Sequence, residues 1–301
     1  MRFEGFFKHL FQFDREETRG GYLLIKLVEV VMAYQVFMYA WSWASYMPLL
    51  SEVILPLGLA NYINVEFMFE PVFAYANAFV ITVLVLIGII GKWRYSYLVA
   101  LLFFHLHYVS RYSQGEISHG SNLTAMVLLS FALAYAFFND KSTQRKVAFG
   151  FVIFFTGLGY VSAGLSKLIG SGPVWSDGSH MYLWMGERSI DRLSQDGVFQ
   201  FNLLQELMFE HWWLSTLILT FGLLVELSGF LLWFRKTRWI QATMLISMHV
   251  GIVLTMNIFF GPYIYILLII GYPWDKLFNR LLDKKPHSEL NTLIERRMYA
   301  A

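Results

Sequence analysis

A single basic side chain, Lys167, stands at the end of a mainly apolar run beginning near residue 147, in the stretch "YVSAGLSKLIGSGPVWSDG", residues 160–178. A lysine amine is a cation in water at neutral pH. Only a site that keeps water out favours its neutral, basic form. The C-terminal end of a helix pulls the other way, towards the cation. Two roles therefore stand side by side: a base held where water is scarce, or an anchor that lifts its charge to a membrane surface. The loop that follows suits a lid. Gly170 and Gly172 allow a tight turn, Pro173 stiffens it, and Trp175 offers a flat ring to cover a ligand.

Seven other ionisable side chains interrupt apolar stretches or sit at their ends: Lys26, Glu29, His105, His107, His119, Glu226 and His249. Each costs at least ~2.5 kcal/mol within a membrane span, so each is a functional candidate. Each also has a plain structural role open to it. Lys26 and Glu29, three apart on a helix, can neutralise one another. The histidines and Glu226 can hydrogen-bond between helices, and Gly157, Gly159, Ala163 and Gly164 can let two helices approach. "HLH" places His105 and His107 ~200° apart around a helix, so they cannot share a metal ion. Glu116 and His119 in "EISH" have the spacing of half a di-iron site, but no second copy follows. HExxH, P-loop and GxSxG patterns are missing, and no metal is predicted.

These residues need elements to position them, and the composition says which. The 301 residues are 57% hydrophobic and only 15% charged, against about 45–50% and about 25% in soluble domains. An all-α, polytopic membrane bundle is expected. The net charge of +2 excludes an electrostatic case for nucleic acid, and the lack of cysteine excludes disulfides, thiol catalysis and iron–sulfur clusters. Runs long enough to cross a bilayer need ~20 residues. Eight candidates lie at 22–46, 72–91, 94–111, 122–138, 147–168, 212–234, 239–259 and 262–274. Of the 23 lysines and arginines, 18 fall in the N-terminal segment, alternate loops and the C-terminal segment. That bias places both termini in the cytoplasm and Lys167 and His119 towards the outer face. The N-terminus reads as a surface segment without a signal peptide. Residues 1–275 form the membrane domain, with outer segments 47–71 and 169–211, the latter carrying amphipathic stretches, and 276–301 a charged cytoplasmic tail.

Three blocks, in order, carry a resemblance: "ISHGSNLTAMVLLSFAL" at 117–133, the 160–178 stretch, and "FLLWFRKTRWIQATMLISMHVGIVLTMNIFFGPYIYILL" at 230–268. Together they resemble the membrane core of the vitamin K-dependent γ-glutamyl carboxylase family, closest to its bacterial HTTM-type members. Ser118 and Ser166 stand where the carboxylase has asparagine and a second lysine, and the carboxylase's additional non-membrane region is not expected here. The resemblance implies Lys167 as the base that deprotonates a reduced vitamin K or menaquinone-type quinol, with His119 beside it. Within the same blocks Tyr160, Gly164, Trp175, Asn122, His249 and Asn257 become candidate quinone- or substrate-binding positions. It further implies O2 and CO2 as cosubstrates. The quinol anion reacts with O2 to form a strong alkoxide base, which removes a proton from a glutamate that then adds CO2, and the quinone leaves as an epoxide. The expected partners are membrane lipids, a quinone and a small secreted peptide, in a bacterial inner membrane. A maturation factor for a secreted peptide or toxin, and a non-catalytic quinone- or lipid-binding protein, are the alternatives.

Overall fold

The computed structural model describes residues 3–50, 52–115, 119–284 and 289–299. Glu116, of the "EISH" pattern, lies outside them. The described residues fold into helices with no strand: α1 (Phe3–Leu10), α2 (Arg19–Tyr46), α3 (Pro71–Ile90), α4 (Ser96–Ser113), α5 (Gly120–Phe137), α6 (Lys141–Ser171), α7 (Gly178–Asp196), α8 (Leu203–Glu210), α9 (Trp212–Leu227), α10 (Arg238–Met256), α11 (Gly261–Gly271), α12 (Trp274–Asp283) and α13 (Glu289–Tyr299). Among the described residues, six segments are long and apolar enough to cross a membrane: those built on α2, α3, α5, α6, α9 and α10. The chain is a multi-pass membrane protein. The expected spans at 94–111 and 262–274 are helical as α4 and α11, but neither belongs to those six. α11 has only 11 residues, about 16 Å of helix against a bilayer core of ~30 Å.

Local chemistry sets the helix ends. Thr18 caps α2 by accepting a hydrogen bond from the Gly21 N–H. Prolines open α3 and α11, where a missing N–H does no harm. Asn257 closes α10 in the left-handed region, at φ 53°.

The contacts divide the chain into two compact units. One comprises the residues through Phe155 together with those from Pro273 onwards; the other is Thr156–Tyr272. In the first, α2, α3, α4 and α5 pack side by side and α5 returns to α2. Buried Glu29 sits among them, hydrogen-bonded by Lys26 at 2.5 Å and by the Tyr97 hydroxyl at 2.6 Å. The self-neutralising Lys26–Glu29 pair is therefore present, with a tyrosine added. The charged C-terminal segment is no loose tail: α12 and α13 dock on the start of α2, burying Tyr22, Leu282, Ile294 and Met298 together. Arg145 joins them, with two hydrogen bonds to Glu17 at 2.6 Å. Its charge thus cancelled, α6 begins at Lys141 and not near 147. At 31 residues it is about 46 Å long, longer than a bilayer core requires.

In the second unit α6 lies against α9 and the 3-10 turn Ser228–Trp233. Glycine makes the approach possible. A methyl group on Gly157 would sit 2.5 Å from Trp233 Nε1 and 2.9 Å from the Gly229 carbonyl, and one on Gly164 would sit 3.0 Å from Leu227. Gly159, on another side of α6, faces nothing within 4 Å. Alanine should therefore act oppositely at the two positions. Gly157→Ala is expected to destabilise the protein by about 1–3 kcal/mol through overpacking. Gly159→Ala should be neutral or stabilising by up to ~1 kcal/mol, the helix-propensity gain. Thermal unfolding in detergent checks both.

Candidate functional site

Tyr160, Gly164 and Lys167 are spaced at i, i+4 and i+7, so they line one face of α6. Tyr160 and Gly164 are buried, and Gly164 brings α6 against α9 where Glu226 projects. Lys167 Nζ meets both carboxylate oxygens of Glu226, with Oε1 at 2.5 Å. On its other side the amine lies 4.6 Å from the Trp175 ring centroid. Trp175 is carried by the 3-10 turn Gly172–Ser176, which Gly172 enters at φ 63°. The expected lid is thus a helical turn, and what its tryptophan covers is the amine. A cation against an indole face gains ~0.5–2 kcal/mol.

Glu226 is held in register from α10. The buried Gln241 donates to the Val225 carbonyl at 2.8 Å, and its own carbonyl accepts from the Ser228 hydroxyl at 3.2 Å. These bonds fasten the point where α9 gives way to the 3-10 turn. Glu226 is the second-last residue of α9, about four turns from Trp212, so the pair sits where that helix gives way to the 3-10 turn. Lys167 stands one turn before the end of α6, at the end of its span as the count from the basic residues places it. The register against α9, set by Gly157 and Gly164, is what puts the two together.

Deeper along the same face of α6, the Tyr160 hydroxyl and His249 Nε2 are 2.6 Å apart. Tyr263 and Phe260 close around the imidazole, with ring centroids 5.4 Å and 5.2 Å from it. His249 is buried, and its Nδ1 has no hydrogen-bond partner among the described residues. A buried nitrogen left unbonded costs ~1–3 kcal/mol.

The predicted residues fall in both units. Lys167, Gly164, Tyr160, Trp175 and His249 come together within Thr156–Tyr272. Asn257 belongs to the same unit but lines a recess whose walls do not include Lys167. His119 and Asn122 lie in the other unit, both exposed at the start of α5, where the Asn122 N–H donates to the His119 carbonyl at 3.1 Å. His105 is exposed and His107 buried, on opposite faces of α4. Glu226, Tyr263 and Phe260 are the residues that sequence reasoning did not place. Glu226 was visible as a carboxyl inside an apolar run; the spacing of 59 residues to Lys167 holds no signal that they meet.

No protein-family model matches the chain, and neither a curated protein nor a solved structure matches it.

Two expectations follow from the pair and its lid. Removing either charge alone, by Lys167→Met or Glu226→Gln, should destabilise the protein by on the order of 3 kcal/mol, because the partner charge is left uncompensated. Lys167→Met with Glu226→Leu should recover most of that loss, and urea unfolding of the three variants measures it. Asp177 caps α7 by accepting from the Ser179 N–H at 2.8 Å. The hydrogen bonds from Ser179 hold its carboxyl below the ordinary value. A lowered carboxyl stabilises above its unfolded value and loses that contribution as pH falls through the lower, folded one. Acidification below about pH 4 should loosen the start of α7 and shift tryptophan emission. Asp177→Asn should abolish that shift.

Proposed function

We propose that the chain is a quinol-dependent membrane enzyme of the vitamin K-dependent γ-glutamyl carboxylase type, in which Lys167 and Glu226 together take up the hydroxyl proton of a reduced quinone. The observation that carries this reading is the Lys167–Glu226 pair, set beside an aromatic wall that contains an unbonded His249 nitrogen. The chemistry suits a flat ring with a hydroxyl group: the Tyr263 and Phe260 rings pack around the imidazole, and His249 Nδ1 is a hydrogen-bonding atom without a partner among the described residues.

The base is the pair rather than the amine alone. With one proton shared, the two groups are neutral overall, whether drawn as ammonium and carboxylate or as amine and carboxylic acid. Either form can take up one further proton. Lys167 accepts it after passing its own to Glu226, or Glu226 accepts it directly. Both routes end with a Lys167 ammonium and a Glu226 carboxylic acid. The lysine side chain keeps 28% of its surface open, so the basicity of this site does not rest on a sealed pocket; Glu226 supplies it. The retained ammonium faces the oxygen that has lost its proton and stabilises the negative charge there. A reduced quinone supplies, when bound, the acidic hydroxyl and the electrons for O2.

The use of O2 and CO2, a peptide-type substrate, and the bacterial inner membrane with the site towards its outer face belong to the proposal through the family resemblance. So do eight spans with both termini cytoplasmic, which the lysine and arginine bias supports. His119 and Asn122 enter only through that resemblance, and His119→Ala tests the former. The experiment on the base is oxygen uptake with a reduced menaquinone analogue, followed by mass spectrometry for the epoxide. Lys167→Ala and Glu226→Gln should each lose at least ~100-fold in turnover, the lower end for general-base catalysis, with helical content unchanged. Full turnover in Lys167→Ala, or none in the intact protein, contradicts the proposal.

A further inference from the structure

A second polar site lies in the same unit, away from Lys167. Between α7, α8 and the end of α10 is a recess of about 230 Å³ whose walls include Arg188, Arg192, Gln200, Asn257 and Leu254. Its chemistry is one-sided. Arg188 and Arg192, one turn apart on α7, present guanidinium groups; Gln200 and Asn257 present amides. Arg188 gives one N–H to Asp191 at 2.8 Å, which leaves most of its five donors for something else. Arg192 approaches Asp196 only at 3.9 Å, beyond hydrogen-bond range.

The end of α10 ought to oppose an anion here, since the last carbonyls of a helix carry partial negative charge. The structure removes that objection. Asn202 donates to the Leu254 carbonyl at 2.7 Å, Gln205 donates to the Thr255 carbonyl at 2.6 Å, and the Asn257 N–H closes onto Val253. The capping box of α8, in which Asn202 and Gln205 satisfy one another's backbone N–H groups, holds both amides in place. Three successive carbonyls are thus taken, and the recess keeps the two guanidinium groups, the Gln200 and Asn257 amides and apolar surface.

The geometry points to this recess as a binding site for the phosphate headgroup of an anionic membrane lipid, gripped by Arg188 and Arg192. Guanidinium forks match phosphate oxygens in charge and shape. A lipid is favoured over a soluble phosphate because of where the recess opens. It stands at the end of α10, one of the apolar segments long enough to span. Val250 and Leu254, spaced i and i+4 and each about half exposed, form an apolar track along α10 that ends in the recess wall. An acyl chain lies on such a track, and its headgroup reaches the arginines. Trp212 and Trp213, exposed at the start of α9, are the residue type that gathers at the same headgroup depth. The site stands independently of the chemistry proposed at Lys167.

Binding of short-chain phosphatidylglycerol, phosphatidylcholine and glycerol phosphate to the detergent-solubilised full chain, by native mass spectrometry and thermal shift, tests it. Phosphatidylglycerol should bind at least about tenfold tighter than phosphatidylcholine, whose phosphate is the same but whose quaternary ammonium is repelled by the two guanidinium groups. Arg188→Gln with Arg192→Gln should erase that preference. Asn257→Asp, which keeps both arginines and tolerates the left-handed backbone but adds a negative charge to the wall, should weaken it in the same direction. Equal binding of the two lipids, or a preference that survives both variants, overturns the inference. Glycerol phosphate binding as tightly as the anionic lipid assigns the recess to a soluble phosphoester and overturns the lipid assignment.

Discussion

A lysine ammonium and a glutamate carboxylate, brought together from two apolar helices, set the terms for the second unit of this protein. Neither charge is tolerable alone in such surroundings. Together they carry no net charge, and Trp175 covers the amine from the other side. The same contact that makes Lys167 and Glu226 affordable in a membrane helix also makes them reactive, because a shared proton leaves a free basic site on one member or the other. Stability and the proposed chemistry therefore rest on one interaction.

The surrounding architecture serves that contact. Gly157, Gly164 and Gly229 let the backbones of α6 and of the α9 segment close to a distance that any side chain would prevent. Gln241 then pins the end of α9 through hydrogen bonds to both sides of Glu226. Small residues fix how near α6 and α9 come and in what register, and the buried amide ties the end of α9 to α10. Tyr160 and His249, further along, extend the polar line from α6 to α10 and leave one imidazole nitrogen unbonded among the described residues. The first unit solves the same problem differently, with Glu29 satisfied by a lysine one turn away and by a tyrosine from α4.

Most helices were legible as sequence, because a long apolar run has few other ways to satisfy its backbone in a membrane. The starts and ends were less so. Arg145 looks like a loop charge until Glu17, 128 residues earlier in the chain, is found beside it, and α6 then runs on through it. The C-terminal charges look like a solvated tail because the apolar faces of α12 and α13 are narrow. Their docking depends on Tyr22 and Gly20 at the start of α2, which no local pattern announces. The candidate site was half legible. Lys167, Trp175, Gly164, Tyr160 and His249 were recognisable by type and position. The partner of Lys167 was not, since depth counted along separate helices takes no account of how those helices slide past one another. His119 and Asn122 came from motif order, and order along a chain does not by itself bring residues into one unit.

The proposed chemistry turns on where one proton goes. Infrared difference spectroscopy, recorded as the anaerobic, detergent-solubilised protein is mixed with a reduced quinone analogue, observes it directly. A new carbonyl band from a protonated carboxyl group is expected in the intact protein and should be missing in Glu226→Gln. No such band on saturating quinol, or one that persists in Glu226→Gln, contradicts it.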